Sequence, residues 1–250
     1  MQSIYTAKLG LKAQQQRLDI IASNMANVST TGYKGQRTGF KDALYTQMID
    51  PSDTESTANL RQGSGVLVAS TYRDFTVGTP VQTGGALDFY LDEDGFFTVQ
   101  NSAGDILYTR SGAFAVSSED DGEYLVTGDG YYVLDDNGDP ITLPDDTNSI
   151  SVTPDGILDL GGGNTATLGI ATFVNKDGLS QTGKSCYAPT DASGEAVDST
   201  AEVKQGYLES SNVDVSLELT NMIRTQRAYS LAGKVLTTWD MMASETNNIR

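Results

Sequence analysis

Positions near the end of the chain, Val215, Leu219, Met222, Gln226, Tyr229, Gly233, Leu236 and Ala243, advance in steps of three and four and are apolar or small but for Gln226, with Asp240 as the polar break. That is the stripe of a long amphipathic helix. Ile223, Val235, Trp239 and Met242 widen the stripe, so this helix needs a partner on more than one flank. Ser211-Asn212 offers capping oxygens, Asp214 and Glu218 place acids in the first turns, and Arg224, Arg227 and Lys234 follow, as the helix dipole prefers. At the other end of the chain Ile4, Leu11, Leu18 and Met25 lie seven apart. Ala7, Gln14, Ile21 and Val28 interleave three residues after each, which predicts a coiled-coil-like seam roughly 40 Å long at about 1.5 Å per residue. The two helices fit either a hairpin that closes one domain or a surface on which copies assemble.

Between the helices the period changes. The first helix fades at Asn27-Val28-Ser29-Thr30-Thr31-Gly32-Tyr33-Lys34, where polar side chains compete for the backbone and glycine accepts positive φ. Residues 35–85 hold a few apolar anchors (Phe40, Leu44, Tyr45) around a polar run, 50–57, and read as an extended connector. From about Ala86 short alternating runs such as Leu87-Phe89-Leu91, Phe96 to Val99, Ile106 to Thr109 and Tyr131 to Leu134 are divided by turns: Asp120-Asp121-Gly122, Asp136-Asn137-Gly138 and Pro154-Asp155-Gly156 among them. The expected class is α+β, divided as helix 1–30, connector 31–85, β-rich domain 86–200, and return segment with helix 201–250.

Charge sharpens this division. The chain carries 33 acidic and 16 basic residues, and 21 of the acids against three of the bases fall in residues 86–200. A middle this acidic argues against nucleic acid and anionic membrane as partners, while the nearly neutral ends can pack against copies of themselves. No stretch is long and apolar enough to span a membrane. Met1-Gln2-Ser3-Ile4 runs directly into a polar helix without the apolar core of a secretory signal, so the expectation is a soluble chain or one exported without cleavage.

Candidate chemistry is sparse. Histidine is absent, which closes the Ser-His-Asp and Cys-His routes, and Cys186 beside Tyr187 reads as a small buried hydrophobe. Asp135-Asp136-Asn137-Gly138-Asp139-Pro140 has oxygen ligands at the first, third and fifth places of a calcium loop, but Pro140 stands where the turn needs glycine. Gly161-Gly162-Gly163 lacks a phosphate-binding lysine after it. No catalytic residue, metal or cofactor is expected. A secreted binding module would instead need a recognition patch on the β domain, and an enzyme would need two carboxylates gathered in a cleft.

Ala26 to Lys34, Gly206 to Val215 and Asn221 to Tyr229, signatures at opposite ends of one chain, resemble those of the bacterial flagellar rod and hook proteins. Gly95-Phe96-Phe97, Tyr108 to Phe114 and Gly128-Asp129-Gly130-Tyr131 are similar to the β-domain motifs of the same family, so the resemblance covers nearly the whole chain. The long segment from Phe40 to Val66 resembles the distal-rod type, with the proximal-rod and hook types as the alternative. The resemblance implies a structural subunit of the basal body outside the cytoplasmic membrane, in periplasm or cell wall, exported through the flagellar type III channel without cleavage. It implies helical assembly into a hollow shaft with copies of itself and with other rod and hook proteins, inside surrounding envelope rings. The residues expected to form the assembly interface are Ile4, Leu11, Leu18, Ile21, Met25, Val215, Leu219, Met222, Ile223, Tyr229 and Leu236, with turns at Asn27, Gly32 and Asn212. Lone helices of this kind are marginal in water, so the expectation for an isolated chain is disordered ends that fold on assembly.

Overall fold

The computed structural model describes residues 2–47, 61–119, 122–144, 150–161, 163–183 and 185–248. The polar run 50–57, Asp120, Asp121 and Gly162 lie outside the described residues. Helices α1 (Gln2–Ala26) and α2 (Val215–Asn248) flank a middle made almost wholly of short strands. The chain divides into a helical unit, Met1–Ala26, Gln36–Arg73 and Asp214–Arg250, and a β unit, Asn27–Gly35 and Asp74–Val213.

In the helical unit α1 packs against α2. Asn24, near the end of α1, donates to Glu218 at the start of α2, and Ile4 lines one cleft with Leu236, Trp239 and Met242, so the helices run antiparallel. The partner that each stripe needs is thus supplied within one chain, which differs from the expectation of unpaired, disordered ends. Burial on tertiary contact, more than intrinsic propensity, is what holds helices of this kind. The helix begins at Val215 and its cap is Asp214, whose Oδ1 accepts from the backbone N–H groups of Ser216 at 2.8 Å and Leu217 at 3.2 Å. Ser211-Asn212, read as the cap, lies before it and works elsewhere.

The segment read as an extended connector contains an antiparallel ribbon, Gln36–Asp42 against Val66–Arg73, whose register shifts between Gly39 and Phe40. Asn24 fixes the base of this ribbon. Its amide donates to the carbonyl of Gln36 and accepts from the Gln36 N–H, both at 2.9 Å, imitating one more rung of a sheet. The ribbon lies along α1, with the guanidinium of Arg17 5.9 Å from the centre of the Phe40 ring.

In the β unit, Phe96–Gln100 is central to a ten-stranded sheet, pairing with Ile106–Thr109, Tyr132–Val133 and Ile170–Thr172. Successive side chains of a strand point to opposite faces. Phe97 and Val99 therefore join the main core with Phe89, Leu125, Val133 and Leu158, while Phe96 joins a second cluster with Tyr108, Phe173 and Tyr187. The second cluster is held edge to face, Tyr108 to Phe173 at 4.8 Å and Phe96 to Tyr187 at 5.7 Å. The returning chain closes the unit through Val203–Gln205 on Phe89–Leu91 and Tyr207–Glu209 on Pro80–Gln82.

Candidate assembly surface and the buried brace of the β unit

The side of α2 that is covered within the chain runs through Met222, Thr225, Ala228, Ala232, Leu236 and Trp239. Thr225 is its one buried member, and the small residues around it let the two helices approach closely. The predicted stripe sits about one position, or roughly 100° of helix rotation, to one side. As a result Val215, Leu219, Ile223 and Tyr229 are exposed, Leu219 at 44% and Ile223 at 51%. On the opposite flank Leu217, Leu231, Val235 and Met242 are exposed as well. A narrow polar wedge, Arg227, Lys234, Thr238 and Glu245, separates the two apolar flanks. A helix apolar over most of its circumference is one whose sides are meant to be covered.

The other expected interface residues divide. Ile21 is buried inside the chain, and Ile4, Leu11, Leu18, Met25, Met222 and Leu236 are half-buried between α1 and its neighbours. These residues thus lie toward the inside of the helical unit, while the α2 flank stays open. Gln14, one of the interleaved positions of the predicted seam, keeps its side-chain oxygen buried with no hydrogen-bond partner among the described residues.

The turn residues Gly32 and Asn212 belong to a different device in the β unit. Gly32 has φ of 66°, and a Cβ there would stand 2.6 Å from the backbone nitrogen of Ser111, so only glycine fits. Its N–H donates to the carbonyl of Glu209 at 2.9 Å. Asn212 accepts from the N–H of Gly35 at 2.8 Å and donates to the carbonyl of Asp74 at 2.6 Å. Asn27 acts locally, its carbonyl and side chain taking the N–H and hydroxyl of Thr30.

Beside these contacts lies a cluster that the sequence reading did not assemble. Glu209, fully buried, accepts from Lys34 Nζ at 2.7 Å, from the N–H of Gly78 at 2.7 Å and from Arg110 Nε. Lys34 also donates to the carbonyl of Thr76 at 2.6 Å, and the Arg110 guanidinium reaches the carbonyls of Gly95 and Leu91. Two cations and one anion are thus held out of water, and each of their terminal nitrogens and oxygens has a hydrogen-bond partner. Burial pushes the Lys34 ammonium below its ordinary value, against the pull of Glu209. Lys34 and Arg110 are the single charges of the stretches Ala26 to Lys34 and Tyr108 to Phe114, and Glu209 shares Gly206 to Val215 with Asp214 alone, so a signal was present.

Among the described residues the acids of the turns do not gather into a group that could hold a metal ion. Burial would raise Asp135, but N–H groups of Asp139, Asn137 and Gly138 and the Asn137 amide hold it below the usual carboxylate range. The carboxylate is occupied in capping its own turn. Among the described residues no group of three or more acids, cysteines or histidines could hold a metal ion, and no helix is long and apolar enough to cross a membrane.

Three family models match: the flagella basal body rod protein model over residues 4–34, the flagellar hook protein FlgE/F/G D1 domain over 90–160, and the flagellar basal body rod FlgEFG protein C-terminal model over 204–249. The flagellar basal-body rod protein FlgG of Agrobacterium fabrum is 38% identical over 262 residues, covering 98% of this chain and 97% of that protein. The chain belongs to the flagellar basal-body rod protein family. FlgG of Bacillus subtilis is 36% identical over 266 residues, 100% of this chain and 99% of its own length, and FlgG of Buchnera aphidicola from Acyrthosiphon pisum is 36% identical over 265 residues at 99% of each. This rod-family chain is a structural subunit of the flagellar basal body, not an enzyme. The first and third family models include Lys34 and Glu209 and the second includes Arg110, so the buried brace joins all three matched regions.

Proposed function

We propose that the chain is a distal-rod subunit whose copies polymerise helically into a hollow, torque-transmitting shaft through the open flanks of α2. The carrying observation is the exposed run Val215, Leu219 and Ile223 on a helix whose other side is already covered by α1. Two flanks meet two different neighbours, which makes the contact heterologous, and a heterologous contact that does not close generates an open helical filament. The coiled-coil-like seam of Ile4, Leu11, Leu18, Ile21 and Met25 stiffens each subunit's helix pair, and residues 35–85 brace neighbouring subunits. Partners in this reading are copies of the chain, other rod and hook proteins at the ends of the segment, and envelope rings around it. The shaft stands outside the cytoplasmic membrane and its subunits leave the cell through the type III channel uncleaved.

Replacing Leu219 with Asp tests this. A carboxylate on the exposed flank costs the folded monomer little, but buried against a neighbour it is an unpaired charge. The expected outcome is a β unit folded as in the parent and no rods; normal rods carrying Leu219→Asp would refute the α2 flank as the assembly surface.

A further inference from the structure

The charge divides between the two units much as it does along the sequence. The helical unit contains 11 basic and 9 acidic residues, for a net charge of +2, and the β unit 5 basic and 24 acidic, for −19. Copies held together by their helices bring several such polyanions close, and apolar association has no preference about which surfaces then face each other. Charge does.

The ribbon of the helical unit offers the complementary surface. Directly opposed residues of an antiparallel pair share a face. Arg37 lies opposite Tyr72 and Lys41 opposite Leu67, and all four are exposed. The other face, Gln36 and Thr38 with Val66 and Val68, is half-buried where the ribbon meets α1. Arginine and lysine set among an aromatic and an aliphatic side chain form a surface suited to a protein partner, since tyrosine and arginine are enriched in such contacts.

We infer that the outward face of the ribbon, centred on Arg37, Lys41, Leu67 and Tyr72, docks on the acidic surface of the β unit of a second copy of this chain. The inference rests on the polymerisation reading above. A nucleic acid would meet the same cations but be repelled by the rest of the chain with no apolar contact to hold it, whereas a second copy is held by its helices.

The test mixes heavy-isotope-labelled and unlabelled full-length chain, concentrates it until copies associate, and applies a carbodiimide that joins lysine to carboxylate without a spacer. Peptides of mixed isotope come only from links between copies. The expected product joins Lys41 to an acid of residues 74–213 in mixed form, and its yield falls about ten-fold as salt rises and the screening length shrinks from roughly 10 Å to a few Å. Mixed links through Lys8, Lys12 or Lys234 with none from Lys41 to those acids would leave polymerisation standing and overturn the ribbon contact. No mixed link of any kind would overturn both. As a second measurement, the double variant Arg37→Glu, Lys41→Glu, with Trp239 emission as in the parent, is expected to associate about ten-fold more weakly. Association equal to the parent would overturn the inference.

Discussion

Removing the carboxylate of Glu209 leaves the ammonium of Lys34 and the guanidinium of Arg110 facing each other in the β unit with no anion between them, and leaves the Gly78 N–H without its acceptor. Breaking a buried ion pair by deleting one partner typically costs about 3–5 kcal/mol, because the remaining charge stays desolvated. At about 2–4 °C per kcal/mol for a body of this size, Glu209→Ala lowers the β-unit transition by roughly 6–20 °C. The two units have separate probes. Trp239, the single tryptophan, reports the helical unit, and the near-ultraviolet dichroism of tyrosines such as Tyr108 and Tyr187 in the aromatic cluster reports the β unit. The drop is expected in the tyrosine signal. Two controls set its meaning. Lys204→Met removes a pair with Asp92 that is half exposed on both sides, and is expected to leave the transition close to that of the parent. Lys34→Met, Arg110→Met and Glu209→Leu together replace the cluster by apolar groups and recover most of the loss. A Glu209→Ala protein that melts within 2 °C of the parent, a shift of about 1 kcal/mol or less, would refute the assignment of Glu209 as the brace.

Other outcomes follow from single observations. Burial lowers Lys34, so between its folded value and the ordinary 10.5 the unfolded chain binds more protons and this group makes stability rise with pH; Lys34→Met is expected to remove that alkaline rise in urea titrations, and an unchanged slope would contradict it. Gly32→Ala forces an L side chain to positive φ at a cost of about 1–2 kcal/mol and into the Ser111 backbone besides, so the unfolding free energy from urea titration should fall by at least about 2 kcal/mol in total. Cys186 is buried, and burial, reinforced by the charge of Asp129, pushes its thiol up; Ellman's reagent should react only as the β unit unfolds, and stoichiometric labelling of the native chain within seconds would show the site to be open.

Much of the architecture was legible because it is locally encoded. Apolar steps of three and four in Val215 to Ala243 and in Ile4 to Val28 require helices whatever surrounds them, and Phe96 to Val99 or Ile106 to Thr109 between glycine turns require strands. The positive φ at Gly32 was readable for the same reason, since glycine's freedom and side-chain competition act within a few residues. Asp214 could equally have been read as the cap, but Ser211 and Asn212 have the same oxygen chemistry and only the path of the chain distinguishes them. Asn212 is drawn away by Gly35 and Asp74, and the helix then starts at the next free capping oxygen.

The residues from Gly206 to Arg250 by themselves determined that a long sticky helix exists; the tertiary structure decided which side of it is covered. α1 takes the side where Thr225, Ala228 and Ala232 permit close approach, so the larger side chains of the predicted stripe are left at the flank. The same holds for the brace. Lys34, Arg110 and Glu209 are as much as 175 residues apart, and buried charges are tolerable only where their counter-charges and backbone partners, here three carbonyls and one N–H, arrive from elsewhere in the fold. Periodicity is a property of neighbours in sequence, and the convergence of distant charges is a property of the closed sheet.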